Sequence, residues 1–162
     1  MSNRPPLKVF ISSTSVDLQE HREAVYDLIS RAGEYAIDMR YFGSRPDDPK
    51  TVCYEEIESA DVLVGIYAMR YGWVPPGEDK SITELEFDYA RKHNIRCLCY
   101  VLDEKKASWP IERIEFQAID KLKVFKDKIN ALVRSTFTTP EDLAGKVSAD
   151  LTRMVKEHSA AN

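Results

Sequence analysis

The fold is decided by one stretch near the start of the chain, Leu7-Lys8-Val9-Phe10-Ile11-Ser12-Ser13-Thr14-Ser15. Its first five residues are rich in strand-forming types, and the run stops in four hydroxyl residues, which satisfy free backbone groups where turns and helices begin. We therefore expect a strand that leads directly into a helix. Over residues 17–32 the apolar side chains recur at helical spacing, and Gly33 is a typical residue to end such a helix.

Strands and helices continue to alternate along the chain. The run Val62 to Tyr67 is uniformly apolar, which is typical of a central parallel strand covered by helices on both faces. This alternation predicts a three-layer α/β domain with a mainly parallel sheet and right-handed crossovers. The other expected elements are an extended segment over 35–42, helices over 50–60 and 81–94, a strand over 96–102, a broadly helical region over 111–129, and a last helix that follows an extended piece at 136–142 and ends near Lys156.

Composition limits the class of protein. A chain of 162 residues is long enough for one substantial core, so we expect a single domain over 7–157 between flexible ends, residues 1–6 and 158–162. The 23 basic and 27 acidic residues give a net charge of -4, which argues against nucleic acid or a membrane surface as a partner. No apolar signal segment opens the sequence, so a cytoplasmic location is expected. The cysteines lack the spacing of a zinc site, and no metal is expected.

Ligands of open α/β sheets bind at the carboxyl ends of the strands, where loops meet helix N-termini. Ser12, Ser13 and Thr14 occupy that place after the first strand and are candidates to bind a phosphate or a ribose. Alternatively, these hydroxyl groups only cap the first helix, since Ser and Thr are preferred caps. Neither GxGxxG nor the P-loop pattern occurs in the sequence, which disfavours ordinary Rossmann and P-loop sites.

A second candidate group follows the central strand, where Arg70, Tyr71 and Trp73 stand close together in the sequence. An arginine among aromatic rings can hold a phosphate and stack against a base. The alternative is that the aromatic side chains cover the edge of the sheet while the arginine lies in solvent.

Two glutamates in the helix predicted over 81–94 are distinguished by their positions. Glu84 stands three residues after Ser81, which is the spacing of a capping box and gives Glu84 a structural role. Glu86 has no such role and lies on or beside the inward face, which it shares with Ala90. We expect its carboxylate either to pair in a buried contact or to open into a cleft, which makes it a candidate functional residue.

Several motifs in a fixed order carry a family resemblance. They are Lys8 to Thr14, Asp17-Leu18, Arg22, Ile57, Ala60-Asp61, Tyr71-Gly72-Trp73 and Ser81 to Phe87. Over about residues 7–103 the chain resembles the TIR-like domain of unknown function that stands N-terminal to NACHT and other STAND ATPases. The resemblance implies a flavodoxin-like (TIR-like) fold.

That family is similar to two others whose chemistry is better understood. Some TIR domains cleave NAD through a glutamate on a helix, and nucleoside deoxyribosyltransferases use the glutamate of a Glu-x-Gly-x-Ala helix start to attack the sugar. Glu86-Phe87-Asp88-Tyr89-Ala90 is similar to that start and differs from it at Asp88. The resemblance implies Glu86 as the catalytic carboxylate, Ser12 to Thr14 on phosphate or ribose, and Tyr71 and Trp73 around the base. NAD or a nucleotide would be the substrate, without a bound cofactor.

Three functions are compatible with these patterns. The first, which we favour, is a nucleotide-handling effector domain that cleaves the N-glycosidic bond of NAD or a nucleotide within a STAND-type defence or signalling protein. The second is a non-catalytic adaptor that associates with itself or a partner through exposed Tyr41, Phe42 and the Pro75-Pro76 loop. The third is a sensor that binds a nucleotide without turnover.

Overall fold

Five strands form the central sheet of the protein, and every neighbouring pair in it is parallel. The computed structural model describes residues 3–41, 43, 44 and 46–160. The strands are β1 (Lys8–Ser13), β2 (Tyr35–Ile37), β3 (Val62–Tyr67), β4 (Arg96–Leu102) and β5 (Ser135–Phe137). Their order across the sheet is 2-1-3-4-5, which is the order of flavodoxin-like folds. The predicted fold class is confirmed.

Helices cover both faces of the sheet. They are α1 (Gln19–Arg31), α2 (Pro49–Ser59), α3 (Ile82–Lys92), α4 (Ile119–Asn130) and α5 (Pro140–Ala160). α1 and α5 pack on one face, and α2, α3 and α4 pack on the other. α5 extends beyond the end predicted near Lys156. Within the described part of the chain, none of these helices combines the length and apolar character that a membrane span requires.

The apolar run predicted to be a central strand is β3, which lies between β1 and β4. All six of its residues are buried. Val64 and Ile66 belong to the core under α1 and α5, whereas Leu63 and Tyr67 face the opposite layer. Because both faces are covered, the strand needs no alternation of polar and apolar residues.

The second strand is shorter than the extended segment predicted over 35–42. β2 ends before Asp38, whose carboxylate accepts a hydrogen bond from the backbone N–H of Arg40 at 3.0 Å. This contact turns the chain, and a 3-10 turn over Met39–Tyr41 follows. Phe42, at the end of the predicted segment, lies outside the described residues.

The helical region predicted over 111–129 becomes a regular helix only at the start of α4. Glu115, just upstream, is tied to the loop that follows β3. Its carboxylate accepts hydrogen bonds from the backbone N–H groups of Tyr71 at 3.1 Å and Gly72 at 3.2 Å. This attachment separates two 3-10 turns that precede α4, at Ile111–Arg113 and Phe116–Ala118.

We expect Gly65→Ala to destabilise the protein. A Cβ at Gly65, in the middle of β3, would overlap the hydroxyl and ring of Tyr67, and that ring is packed edge-on against Phe125. Overpacking of this kind lowers the free energy of unfolding by about 1–3 kcal/mol, which urea denaturation would measure.

The control for this substitution is Gly145→Ala on the exposed side of α5, where an added Cβ would meet nothing within 4 Å. There the better helix propensity of alanine should raise stability by up to about 1 kcal/mol. Equal effects at the two glycines would contradict the packing described for β3.

Candidate active site

An open cavity of about 320 Å³ lies beside the carboxyl ends of β1 and β2. The chain moves outward from β1 to β2 and then crosses back to β3, so the loops that leave β1 and β3 diverge here. Such a topological switch point is the usual ligand site of an open α/β sheet. The cavity is lined by Ile11, Ser13, Ser15, Arg22, Met39, Arg40, Pro49, Cys53, Trp73, Ile82 and Glu86.

Glu86 lines the cavity although the residue is only 6% exposed. Its Oε1 accepts a hydrogen bond of 2.8 Å from the hydroxyl of Ser12, which is fully buried at the end of β1. Burial raises the pKa of Glu86 to about 7, against the opposing effects of the Ser12 hydrogen bond, the Cys53 thiol and the charge of Arg22. At neutral pH the carboxyl group therefore populates both its protonated and its ionised form.

Two arginines of the cavity wall, Arg22 and Arg40, form an ion-pair network with the buried carboxylate of Asp38. Arg22 donates to the Ser13 carbonyl and hydroxyl, both at 2.8 Å, and to Asp38 at 2.7 Å. Arg40 donates to the other carboxylate oxygen of Asp38 at 2.8 and 3.0 Å. Burial opposes ionisation of Asp38, but hydrogen bonds from Arg40 and the charge of Arg22 outweigh it and lower its pKa. Arg40 also lies 3.9 Å from the exposed carboxylate of Glu23, so the two guanidinium groups face one buried and one exposed carboxylate.

Arg22 is the most informative residue that sequence reasoning left without a role. Its side chain is 5% exposed, and its Nε has no hydrogen-bond partner among the residues that the structure describes. The signal was present, because Arg22 follows Leu18 by four residues and precedes Val25 by three, which puts a charge on the inward stripe of α1. Asp38 and Arg40 lie after a short strand and give no comparable pattern.

Trp73 provides an aromatic surface at the rim of the cavity, where it is 54% exposed. The backbone N–H of Ile82 donates to the Trp73 carbonyl at 2.8 Å, which fixes this loop to the start of α3. Of the predicted site residues, the structure thus brings Ser12, Ser13, Trp73 and Glu86 together. Among residues 3–41, 43, 44 and 46–160, no group of three or more His, Cys, Asp or Glu side chains is placed to hold a metal ion.

Thr14 and Arg70, two of the residues suggested to bind a ligand, do not line this cavity. The Thr14 hydroxyl donates to the Asp17 carboxylate at 2.5 Å and is turned into the loop. Arg70 lies 3.4 Å from the Glu115 carboxylate, on the side of the loop that faces the segment before α4.

Tyr71 is also outside the cavity, because its hydroxyl belongs to the cap of α3. The Ser81 backbone N–H donates to the Tyr71 hydroxyl at 3.1 Å, and that hydroxyl donates to Glu84 at 2.6 Å. The Ser81 hydroxyl accepts from the Glu84 N–H at 3.2 Å, and Lys128 pairs with the same carboxylate at 2.6 Å. Glu84 therefore has the structural role expected of it, with Tyr71 inserted into the capping box.

Helix capping does not explain the hydroxyl cluster after β1. The residue that precedes α1 is Leu18, and no side chain caps that helix. The hydroxyl groups of Ser12, Ser13 and Thr14 donate elsewhere. Their acceptors are Glu86, the Thr14 carbonyl and Asp17.

Much of the surface that was predicted to bind a partner in the adaptor hypothesis lies outside the described residues. The side chain of Tyr41 and the whole of Phe42 lie outside the described residues. Pro76 is exposed, but Pro75 is buried, which corrects the expectation of an exposed Pro75-Pro76 pair. The Pro75 carbonyl accepts from the Glu78 N–H at 3.1 Å, which closes a turn and draws Pro75 inward.

Residues 8–152 match the model of a protein family described as a domain of unknown function, DUF4062. That range contains every residue of the cavity wall. The chain belongs to this family. The DUF4062 domain is also similar to part of telomerase protein component 1 of Mus musculus, at 29% identity over 45% of this chain and 3% of that protein. The match therefore spans a small fraction of the relative's length.

Two solved structures resemble the DUF4062 domain. The Clostridium botulinum CMP N-glycosidase BcmB is 10% identical with a TM-score of 0.54, over 88% of this chain and 98% of that one. A diflavin flavoprotein from Nostoc sp. is 13% identical with a TM-score of 0.44, over 97% of this chain and 99% of that one. At 10% identity, the likeness to the glycosidase shows a shared fold.

The raised pKa of Glu86 predicts a pH-dependent effect of Glu86→Gln on stability. The folded protein holds the proton more tightly than the unfolded chain, whose glutamates have a pKa near 4.5. The stability due to Glu86 is thus fully present below about pH 4.5 and is lost as the pH rises through about 7. A neutral glutamine avoids that loss, so Glu86→Gln should be more stable than the wild type by about 2–3 kcal/mol near pH 8.

Urea titrations of both proteins between about pH 4 and pH 8 measure this difference. Subtracting one protein from the other removes the contribution of His21, whose pKa is lowered by burial and whose stabilising effect declines as the pH falls below about 6.5. A difference that stays constant with pH would show that Glu86 is not buried as described.

Proposed function

We propose that this DUF4062 domain is a nucleotide-handling effector domain that cleaves the N-glycosidic bond of a nucleotide or NAD. The observation that carries the proposal is the Glu86 carboxyl group, which is buried against Ser12 at the wall of an open cavity and has a pKa of about 7. Shifted carboxyl groups in clefts are characteristic of catalytic sites.

The chemistry needs one carboxylate at the sugar. When the bond between the anomeric carbon and the base breaks, the base leaves with the bonding electrons and positive charge develops on the carbon. The ionised Glu86 stabilises that charge or forms an ester with the carbon. Water then attacks the carbon and breaks any ester bond to Glu86, and its proton passes to the departed base of a nucleotide or, with NAD, to solvent. The products are the free base with a sugar phosphate or, from NAD, nicotinamide with ADP-ribose. Because Glu86 is largely shielded from solvent, its charge acts more strongly there than it would in water.

The remaining cavity residues suit the other parts of a nucleotide. Arg22 and Arg40 suit a phosphate, which guanidinium groups bind through two parallel hydrogen bonds, because an incoming phosphate can replace the exposed Glu23 carboxylate at Arg40. The hydroxyl of Ser13 lies beside Arg22. The exposed ring of Trp73 offers a surface on which a base can stack.

The fold shared with a protein named as a CMP N-glycosidase supports this reaction class. The likeness of Glu86 to Ala90 to the deoxyribosyltransferase helix start supports it independently of the fold. Asp88, where the two patterns differ, pairs with Lys80 and Lys128 and does not line the cavity.

We further propose that the domain works in the cytoplasm as one module of a longer STAND-type signalling or defence protein. The TIR-like resemblance supports this context. The similarity to a short part of a much longer mouse protein agrees with a modular arrangement.

Turnover is the direct test. We expect the wild type to release free base from CMP, other nucleoside monophosphates or NAD, assayed by chromatography with the protein alone and fused to a clustering tag. Glu86→Gln should lower the rate by at least about a hundredfold, since it removes the transition-state charge. Asp88→Asn is the matched control on the same helix and should retain activity.

Arg40→Gln tests the phosphate assignment in the same assay. It should reduce kcat/KM for a nucleotide by about tenfold or more, with little effect on the corresponding nucleoside, because a charge-assisted hydrogen bond is worth about 1.5–3 kcal/mol. Absence of wild-type turnover under clustering, or unchanged turnover in Glu86→Gln, would refute the glycosidase function.

Self-association is a second candidate function, favoured by exposed apolar side chains around α4. Ile111 and Phe116, which precede α4, and Val124 within it are each more than half exposed, and exposed apolar side chains are common at interaction surfaces. Light scattering over a concentration range should show growth in mass that Phe116→Ser reduces. A constant monomer mass, with and without nucleotide, would rule out this function.

A further inference from the structure

In the described part of the chain, no strand pairs with the first four residues of β4 on the side where β5 joins the sheet. β5 pairs only with Tyr100 to Leu102, whereas β4 begins at Arg96. The Asp103 N–H donates to the Phe137 carbonyl at 2.9 Å, so odd-numbered backbone groups point toward the β5 side. Backbone groups alternate in direction along a strand, so the N–H and C=O of Cys97 also point toward the β5 side. β5 does not extend as far as Cys97.

A cavity of about 490 Å³ lies along this open segment. Its floor is formed by the first half of β4, and its walls are formed by the residues that lead into β5 and by one face of α5. The lining residues are Arg96, Cys97, Leu98, Cys99, Tyr100, Val133, Arg134, Ser135, Lys146, Ala149, Asp150 and Arg153.

The lining of this cavity is predominantly cationic. Arg96, Arg134, Lys146 and Arg153 face one carboxylate, Asp150, which also accepts a hydrogen bond from Tyr100. The side-chain partners of the cations at the rim are Glu157, Asn130, Asp142 and Asp150, and Lys146 also donates to the Thr136 carbonyl at 2.6 Å. These pairs are largely exposed, and such pairs contribute little stability, so an incoming carboxylate can exchange with them.

The open segment also offers contacts for apolar side chains. Cys97 and Leu98 are only partly buried, unlike the later residues of β4, and they contact opposite layers of the core. Val133, at the rim, is fully exposed. A strand laid along β4 would place alternate side chains on these two faces.

We propose that the open edge of β4 receives an extended acidic segment of a partner protein as an added strand. Unpaired backbone groups supply the hydrogen bonds of such an addition, and the surrounding cations select for carboxylates. The segment of β4 that lacks a neighbour on this side, Arg96 to Cys99, is roughly 13 Å long, which fits a strand of four or five residues. The surface does not involve Glu86, so it does not depend on the proposed enzymatic function.

The test uses a fluorescein-labelled, end-capped peptide of three Glu-Val repeats and fluorescence anisotropy. We expect saturable binding that weakens with salt. The double variant Arg134→Glu, Arg153→Glu should lose at least about tenfold in affinity. The double variant Lys105→Glu, Lys106→Glu changes the total charge equally in an exposed loop and should bind like the wild type. Thermal melts of both variants confirm that they are folded.

A second peptide, N-methylated at alternate residues, separates strand addition from simple charge attraction. Methylation on the edge that faces β4 should abolish binding, and the unmethylated peptide should protect the Cys97 amide from hydrogen exchange. Equal binding of both peptides, no binding at millimolar peptide, or unchanged binding by the Arg134→Glu, Arg153→Glu variant would overturn the proposal. Binding of an oligonucleotide but not of the peptide would identify a polyanion site instead.

Discussion

The hydrogen bond from Ser12 to Glu86 joins the end of β1 to the second turn of α3 across 74 positions of sequence. A carboxylate at this depth without a partner would cost several kcal/mol. The hydrogen bond from Ser12 and the position of Glu86 beside the cavity together reduce this free-energy cost. The hydrogen bond also holds β1 next to α3, and both elements contribute residues to the cavity wall. The site thus depends on one contact between the hydroxyl-rich end of β1 and Glu86 on α3.

Two carboxyl groups at this site are held in opposite electrostatic environments. Asp38 lies between two guanidinium groups, and these lower its pKa even though it is buried. Glu86 receives one hydroxyl and stands farther from positive charge, so burial dominates and raises its pKa. When their surroundings push the pKa values of two neighbouring acids apart, the two acids can take different roles in a site. Asp38 keeps its charge and organises the arginines, while Glu86 is free to change its charge near neutral pH.

The parts of the structure that depend on local pattern were predictable from sequence. The uniform apolar run of β3, the hydroxyl-rich exit of β1 and the capping spacing of Ser81 and Glu84 each have one dominant cause within a few residues. The inward position of Glu86 follows from helical periodicity. The remaining features depend on partners distant in sequence. Tyr71 enters the cap of α3 only because the loop after β3 folds back, and the late start of α4 depends on the capture of that loop by Glu115. Arg22 could have been recognised as a charge on an apolar stripe, whereas Asp38 and Arg40 acquire their roles only once α1 and β2 are packed together.

The ionisation of Glu86 is the property from which the functional account follows, and carbon-13 NMR measures it directly. The side-chain carboxyl resonance of Glu86, assigned by its absence in Glu86→Gln, should titrate with a midpoint near pH 7. Because the Ser12 hydrogen bond favours the ionised form, Ser12→Ala should move that midpoint upward. A midpoint near 4.5, the ordinary value for a glutamate, or one that is insensitive to Ser12→Ala, would contradict the account.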